Sequence, residues 1–207
     1  MEKDYSTEEK IINAARKIFQ QKGFAATRTR DIAEEAGINL ALLNYYFRSK
    51  EKLFEIVMEE SVKQVFSSVK MILNSTSTSL TDKIDDAVNM YINMLAENPN
   101  MPIFILGEIQ ANPEKFKHKQ GLSHDFITNS ILFRQLKEHL ENSGLSHLDP
   151  LQMIINLLSM VVFPFIGRSI IKSITNMSDP QFQQFIEDRR VVIPLCMKNM
   201  LHIPTGN

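Results

Sequence analysis

Apolar residues recur every three to four positions along most of this chain. Nowhere do they alternate strictly with polar ones over a strand's length. The first run sets the pattern, with Ile11, Ile12, Ala15, Ile18 and Phe19 on one helical face. Ser6-Thr7-Glu8-Glu9 stands ahead of it as a capping box, Ser6 accepting from a free amide and Glu9 reaching back. Gly23 is the expected stop. Asn112-Pro113, Asp149-Pro150 and Asp179-Pro180 precede further helical runs. In each pair the Asn or Asp oxygen can accept from the first free amides, and a proline at the next position loses no bond. The periodicity predicts helices over about 6–21, 29–36, 40–46, 50–73, 82–97, 102–111, 114–141, 150–173 and 180–201. The Ser/Thr cluster 75–79, Asn98-Pro99-Asn100 and Ser143-Gly144 are loops. The expected fold class is all-α.

Asp31-Ile32-Ala33-Glu34-Glu35-Ala36-Gly37-Ile38-Asn39 reads as the first helix and turn of a helix-turn-helix. Ile32, Ala33 and Ala36 face inward, and Ala33 is small enough for a second helix to cross closely. Gly37 supplies the sharp turn, because a Cβ resists a left-handed backbone. Ile38 plugs the turn into the core, and Asn39 is a good N-cap for the next helix, residues 40–47. There Leu43 and Phe47, four apart, anchor inward, so Leu40, Ala41, Asn44 and Tyr45 point out. A short helix carrying a small residue, an amide and an aromatic hydroxyl suits the DNA major groove. Arg30 can reach a base edge or a phosphate. The Lys50 amine, at the start of the following helix, can meet a phosphate.

Gly23-Phe24, Thr27, Arg30-Asp31-Ile32-Ala33, Ala36-Gly37-Ile38, Tyr45-Tyr46-Phe47 and Ser49-Lys50-Glu51-Lys52-Leu53 together resemble the N-terminal domain of TetR/AcrR-type transcriptional regulators. The match covers roughly residues 8–55. The resemblance implies a three-helix DNA-binding domain with a helix-turn-helix, about residues 1–50, and a larger helical bundle, 51–207, for effector binding and dimerisation. It implies a homodimer on a pseudo-palindromic double-stranded operator, a repressor released by a small molecule, with the helix at 50–73 bridging the two parts. The candidate DNA-binding set is Thr27, Thr29, Arg30, Asn39, Leu40, Ala41, Asn44, Tyr45, Tyr46 and Lys50. Arg28, Leu40, Ala41 and Asn44 depart from the residues frequent in that family, which makes the base preference this chain's own.

In the larger bundle, bulky apolar side chains can line an effector cavity. The candidates are Phe104, Phe126, Phe133, Met160 and Phe163, with Glu108 as a polar group. Glu108 interrupts an apolar run, and is either a ligand group or a carboxylate paired inside the bundle, with Arg168 as a candidate partner. The helices at about 150–173 and 180–201 are the dimerisation candidates. Their apolar faces are Ile154, Leu157, Leu158, Val161 and Phe165, and Phe182, Phe185, Ile186, Ile193 and Met197.

Composition narrows the rest. Seven glycines and eight prolines in 207 residues favour helix over a many-stranded sheet. Cys196 is the single cysteine, which removes a disulfide framework and cysteine-rich zinc sites. The formal net charge of −1 argues against a protein that coats nucleic acid by charge alone, but a sequence reader needs only local positive charge. Lys22, Arg28, Arg30, Arg48, Lys50 and Lys52 supply it against Asp31, Glu34, Glu35 and Glu51. No His-Glu-x-x-His or phosphate loop occurs, and adjacent His124 and Asp125 cannot serve one site from a helix. No catalytic residue, metal or cofactor is expected. Met1–Tyr5 has no apolar leader pattern. The apolar run Met153–Gly167 is too short to span a bilayer and contains Asn156, Ser159 and Pro164. A cytoplasmic protein with no membrane partner is the expectation.

Overall fold

The computed structural model describes residues 6–111, 113–119 and 125–204, without the side chains of residues 115 and 119. The expected features at Met1–Tyr5, Asn112 and His124 lie outside the described residues. Among the described residues eleven helices follow one another and no strand occurs. They are α1 (Thr7–Ala26), α2 (Thr29–Glu35), α3 (Leu40–Tyr46), α4 (Lys50–Asn74), α5 (Leu80–Glu97), α6 (Met101–Ala111), α7 (Pro113–Lys119), α8 (Ile131–Asn142), α9 (Pro150–Ile166), α10 (Arg168–Thr175) and α11 (Asp179–Met200).

The chain forms two compact units, Met1–Val65 with Ile103–Phe116, and Phe66–Pro102 with Lys117–Asn207. In the first, α1 starts at the expected box: Glu9 N–H donates to Ser6 Oγ at 3.3 Å, and Ser6 N–H donates to the Glu9 carboxylate at 2.9 Å. Gly23 (φ 73°) breaks the helical path, and one short turn follows before Thr27. The face Ile11, Ala15, Ile18 and Phe19 is buried where α1 packs on α2, and Ile32 and Ala33 of α2, Leu43 and Phe47 at α3, and Leu53 and Val57 of α4 are buried too. Phe19, Phe24, Phe54 and Phe104 form an aromatic chain, with Phe54 5.1 Å from Phe19, 4.8 Å from Phe24 and 5.4 Å from Phe104.

The second unit packs α5, α8, α9 and α11 around one core. Ile84, Val88, Ile92, Leu136, Leu140, Val161, Phe165, Phe182, Ile186, Ile193 and Met197 are its buried members. Polar links lock α11 to α5: Lys198 to Asp85 at 2.8 Å, and Arg190 to the side chains of Asn89 and Asn93 at 3.2 and 2.8 Å.

The structure corrects the expected elements in three places. The helix expected over 114–141 is divided into α7 and α8, because Ser130 turns its hydroxyl to the Phe133 amide (3.2 Å) and starts a new helix. The helix expected over 150–173 bends by 69° between α9 and α10. At that bend a Cβ on residue 167 would stand 3.3 Å from the Phe163 carbonyl oxygen, so the close approach is open to Gly167. Asp149 caps α9 as expected, accepting from the Leu151 amide at 2.8 Å. Asp179, however, does not cap α11. Ser178 does, boxed with Gln181, and Asp179 pairs with Arg168 (2.5 Å) and Lys172 (2.8 Å).

A fourth correction concerns the apolar faces of the last long helices. Val161, Phe165, Phe182, Ile186, Ile193 and Met197 are 5% exposed or less, and Ile154, Leu157 and Phe185 pack against them. These side chains are the subunit's own core. The exposed apolar set is a different one: Leu151, Ile155, Phe163 and Ile166 on α9, Ile170 and Ile174 on α10, and Val191, Val192 and Leu195 on α11. Each of the two long helices is apolar on more than one side, and packing with α5 and α8 uses only part of that surface.

Candidate nucleic-acid interface

The three helices that carry the interface are held by local chemistry. The Asp31 carboxylate accepts from the Arg28 amide at 3.3 Å, just ahead of α2, and from Lys22 at 2.8 Å. The Lys22 ammonium, and then that amide, hold the carboxyl below the usual carboxylate range. Glu35 pairs with Lys17 of α1 at 2.5 Å. Two of the acidic charges of α2 are therefore compensated within the fold.

The turn closes as a Schellman arrangement: Gly37 N–H donates to Glu34 O (3.1 Å) and Ile38 N–H to Ala33 O (3.0 Å), with Gly37 at φ +68°. A non-glycine residue there strains the backbone by roughly 1–2 kcal/mol. Asn39 then caps α3, its side-chain oxygen accepting the Leu42 amide at 2.8 Å. Leu43 and Phe47 are buried, 1% and 4% exposed, and fix which side of α3 meets solvent. Ala41, Leu42, Asn44, Tyr45 and Tyr46 are exposed, and Leu40 is half-buried. Tyr45, 80% exposed, stands edge-on to Tyr46 at 5.5 Å. Arg30 is exposed at the start of α2, and Thr29 is half-buried.

Two members of the expected set depart from it. The Thr27 side chain is buried (2% exposed) and its hydroxyl donates to Gly23 O at 2.7 Å, so it holds the end of α1 and offers nothing outward. Lys50 is half-buried, and its amine donates to Phe24 O (3.0 Å) and Thr27 O (3.1 Å) while lying 4.2 Å from the centre of the Phe24 ring. In the other direction, Arg28, Arg48 and Lys52 are exposed around the same helices. They were legible as local positive charge but not as individual contacts, since spacing does not say which cations the acidic residues engage.

The expected effector residues are distributed. Phe104 (buried) and Glu108 (half-buried) belong to the first unit; Phe126, Phe133, Met160 and Phe163 belong to the second. Arg168, the candidate partner of Glu108, pairs with Asp179 instead. Phe126 lies beside Phe66 at 6.2 Å, with Lys70 5.9 Å from its ring centre. Phe163 is a correction: it is 60% exposed on the outer side of α9 and cannot line a closed cavity in the isolated subunit. Among the described residues, no group of three or more His, Cys, Asp or Glu side chains could hold a metal ion, and no single helix is long and apolar enough to cross a membrane.

A capped, solvent-facing α3 set by a left-handed glycine turn onto α2 defines a helix-turn-helix protein. Residues 11–57 match the family described as bacterial regulatory proteins, tetR family. Over 195 residues the chain is 25% identical to the "Probable HTH-type transcriptional regulator YttP" of Bacillus subtilis, spanning 91% of this chain and 92% of that one. It is 34% identical over 79 residues to the HTH-type transcriptional repressor KstR2 of Mycolicibacterium smegmatis, 38% of each chain. Among solved structures, a TetR-like transcriptional regulator from Rhodococcus superposes with a TM-score of 0.58 at 15% identity, over 89% of this chain and 93% of that one. A candidate regulator of Streptomyces coelicolor gives 0.62 at 19% identity, over 94% and 98%. Residues 11–57 thus match a tetR-family regulatory domain, the whole chain is similar to transcriptional regulators, and it is a DNA-binding transcriptional regulator.

Proposed function

We propose that this regulator is a cytoplasmic repressor that acts as a homodimer on a pseudo-palindromic operator and leaves it when a small molecule binds the larger part of the chain, residues 51–207. The observation that carries the DNA-reading half is the locked presentation of Asn44 and Tyr45 on α3. The Asn44 amide is the reader of a base edge, Tyr45 and Arg30 make base-edge or phosphate contacts, and Leu40 and Ala41 give apolar contact in the groove. Thr29, Asn39 and Tyr46 border that surface. Arg28, Arg48 and Lys52 supply the phosphate-facing charge that the overall balance lacks.

The dimer reading rests on Ile155 and Phe163 of α9 and Val191, Val192 and Leu195 of α11, which are 44–71% exposed. A second copy would cover them, and two-fold symmetry would bring two recognition helices to two half-sites. Repression is supported by relatives such as the negative regulator IcaR of Staphylococcus aureus, 28% identical over 108 residues. Effector binding shifts the population between DNA-competent and incompetent spacings of the two helices. Helix α4, which contributes residues to both units, carries the shift. Phe126, Phe133 and Met160, half-buried in the second unit, are the candidates for effector contacts there.

Selection of bound sequences from a random duplex pool tests the reading. The expected product is an inverted repeat whose half-sites are about one helical turn, or a multiple of it, apart. Failure to enrich any sequence at moderate salt overturns it.

A further inference from the structure

Lys50 is the first residue of α4, where the helix dipole disfavours a positive charge. The fold answers with two backbone carbonyls. The amine donates to Phe24 O at 3.0 Å and Thr27 O at 3.1 Å, and it faces the Phe24 ring at 4.2 Å. These partners are 26 and 23 positions earlier in the chain, in the short stretch between the reversal at Gly23 and the start of α2. The buried Thr27 hydroxyl, on Gly23 O at 2.7 Å, ties the same stretch from within. Two of the three ammonium protons are thus used inside the protein, and α2 departs from the segment they hold. A lysine kept for a phosphate alone would extend into solvent, since an unpaired ammonium is strongly hydrated.

We infer that Lys50 is a positioning residue: it clamps residues 24–27 to the start of α4, and so sets the direction from which α2 and the recognition helix α3 leave α1. This rests on the DNA-reading role proposed above, and it moves Lys50 from the contact list to the scaffold of that role.

The test uses the full chain with Lys50→Met and Thr27→Val. Neither substitution changes side-chain volume greatly, and Thr27 is too buried to touch a phosphate. Hydrogen exchange of the free protein is read first. Lys50→Met is expected to speed exchange in residues 23–30 by about tenfold or more, with α9 and α11 still protected. Affinity for the selected duplex is then followed against salt. The clamp predicts weaker binding, by about tenfold, with the slope of log K against log[salt] unchanged. Thr27→Val is expected to weaken binding in the same way, and the double variant to cost less than the sum of the two. Unchanged exchange together with a slope shallower by about 0.9 identifies a plain phosphate contact and overturns the proposal. Normal binding by Thr27→Val overturns it as well, including where Lys50→Met does not fold. If the natural chain enriches no duplex, the DNA reading falls, and the exchange arm alone still decides the clamp.

Discussion

Arg189 of α11 donates its guanidinium to the Met160 carbonyl of α9 at 2.5 Å, and that carbonyl is the one Pro164 leaves without its helical donor. In an α-helix the oxygen of residue 160 accepts from the amide of residue 164, and proline has none. The side chain from the next long helix fills the gap, while its guanidinium lies 5.6 Å from the Phe185 ring centre. Arg189→Met is therefore expected to lower unfolding stability by about 1 kcal/mol, the lower end of the cost of leaving an acceptor unsatisfied, since this one is only partly buried. In a Pro164→Ala background, where residue 164 regains an amide, the same change should cost less than half as much. Urea unfolding of the four chains measures the coupling, and equal costs in both backgrounds would refute the assignment.

Tyr45 and Asn44 should separate binding from folding. Tyr45 is 80% exposed and Asn44 is exposed beside it, so alanine at either position leaves the thermal midpoint unchanged. Tyr45→Ala is expected to weaken operator binding uniformly. Asn44→Ala is expected to relax preference at one base pair per half-site by about 1–3 kcal/mol. Binding arrays over all single-base variants of the selected site give both answers.

Gly37 sits at φ +68° with nothing within 4 Å of where a Cβ would be. The cost of a side chain there is conformational rather than steric. Gly37→Ala should destabilise the first unit by about 1–2 kcal/mol. Gly37→Asn should be milder, because asparagine tolerates the left-handed region. Calorimetry of the two variants checks the order, and equal losses would point to packing instead.

Val191 and Leu195 lie on the exposed side of α11, at 71% and 44%. Aspartate at both positions should leave the subunit folded and convert the dimer to monomer in sedimentation. Operator affinity should drop with it, since one recognition helix per half-site then binds alone. A double variant that still sediments as a dimer would place the interface elsewhere.

The Asp179 carboxyl is held below its ordinary range by the ammonium of Lys172, then by the guanidinium of Arg168. A carboxyl depressed in the folded state stabilises fully above its unfolded value, about 3.9, and loses that contribution as pH falls through the lower folded value. At pH 6 the natural chain should unfold at a higher temperature than Asp179→Asn. The gap should narrow as pH falls below the unfolded carboxyl value and through the lower folded one. A gap that widens on acidification would reverse the sign of the argument.

What the chain determines by itself is whatever needs only a few consecutive residues. Ser6 with Glu9, Asn39 ahead of α3, Asp149 ahead of Pro150 and the reversals at Gly23 and Gly37 are all found where the sequence places them. Each depends on one backbone conformation and one short hydrogen bond, and both are written locally. The inward pair Leu43 and Phe47 follows from helical spacing in a helix with only one apolar anchor row, and with it the outward set around Asn44 and Tyr45. Tertiary structure decides wherever one residue type allows two environments. Helices α9 and α11 are apolar on more than one side, so only the neighbours α5 and α8 determine that Val161 and Ile193 are core while Phe163 and Val191 face outward. Asp179 could cap or pair, and the nearby Ser178 and Arg168 chose pairing. Lys50 could meet a phosphate or a carbonyl, and partners more than twenty positions away in the chain decided for the carbonyls. A cation's partner is set by distances through space, which no local pattern of residues contains.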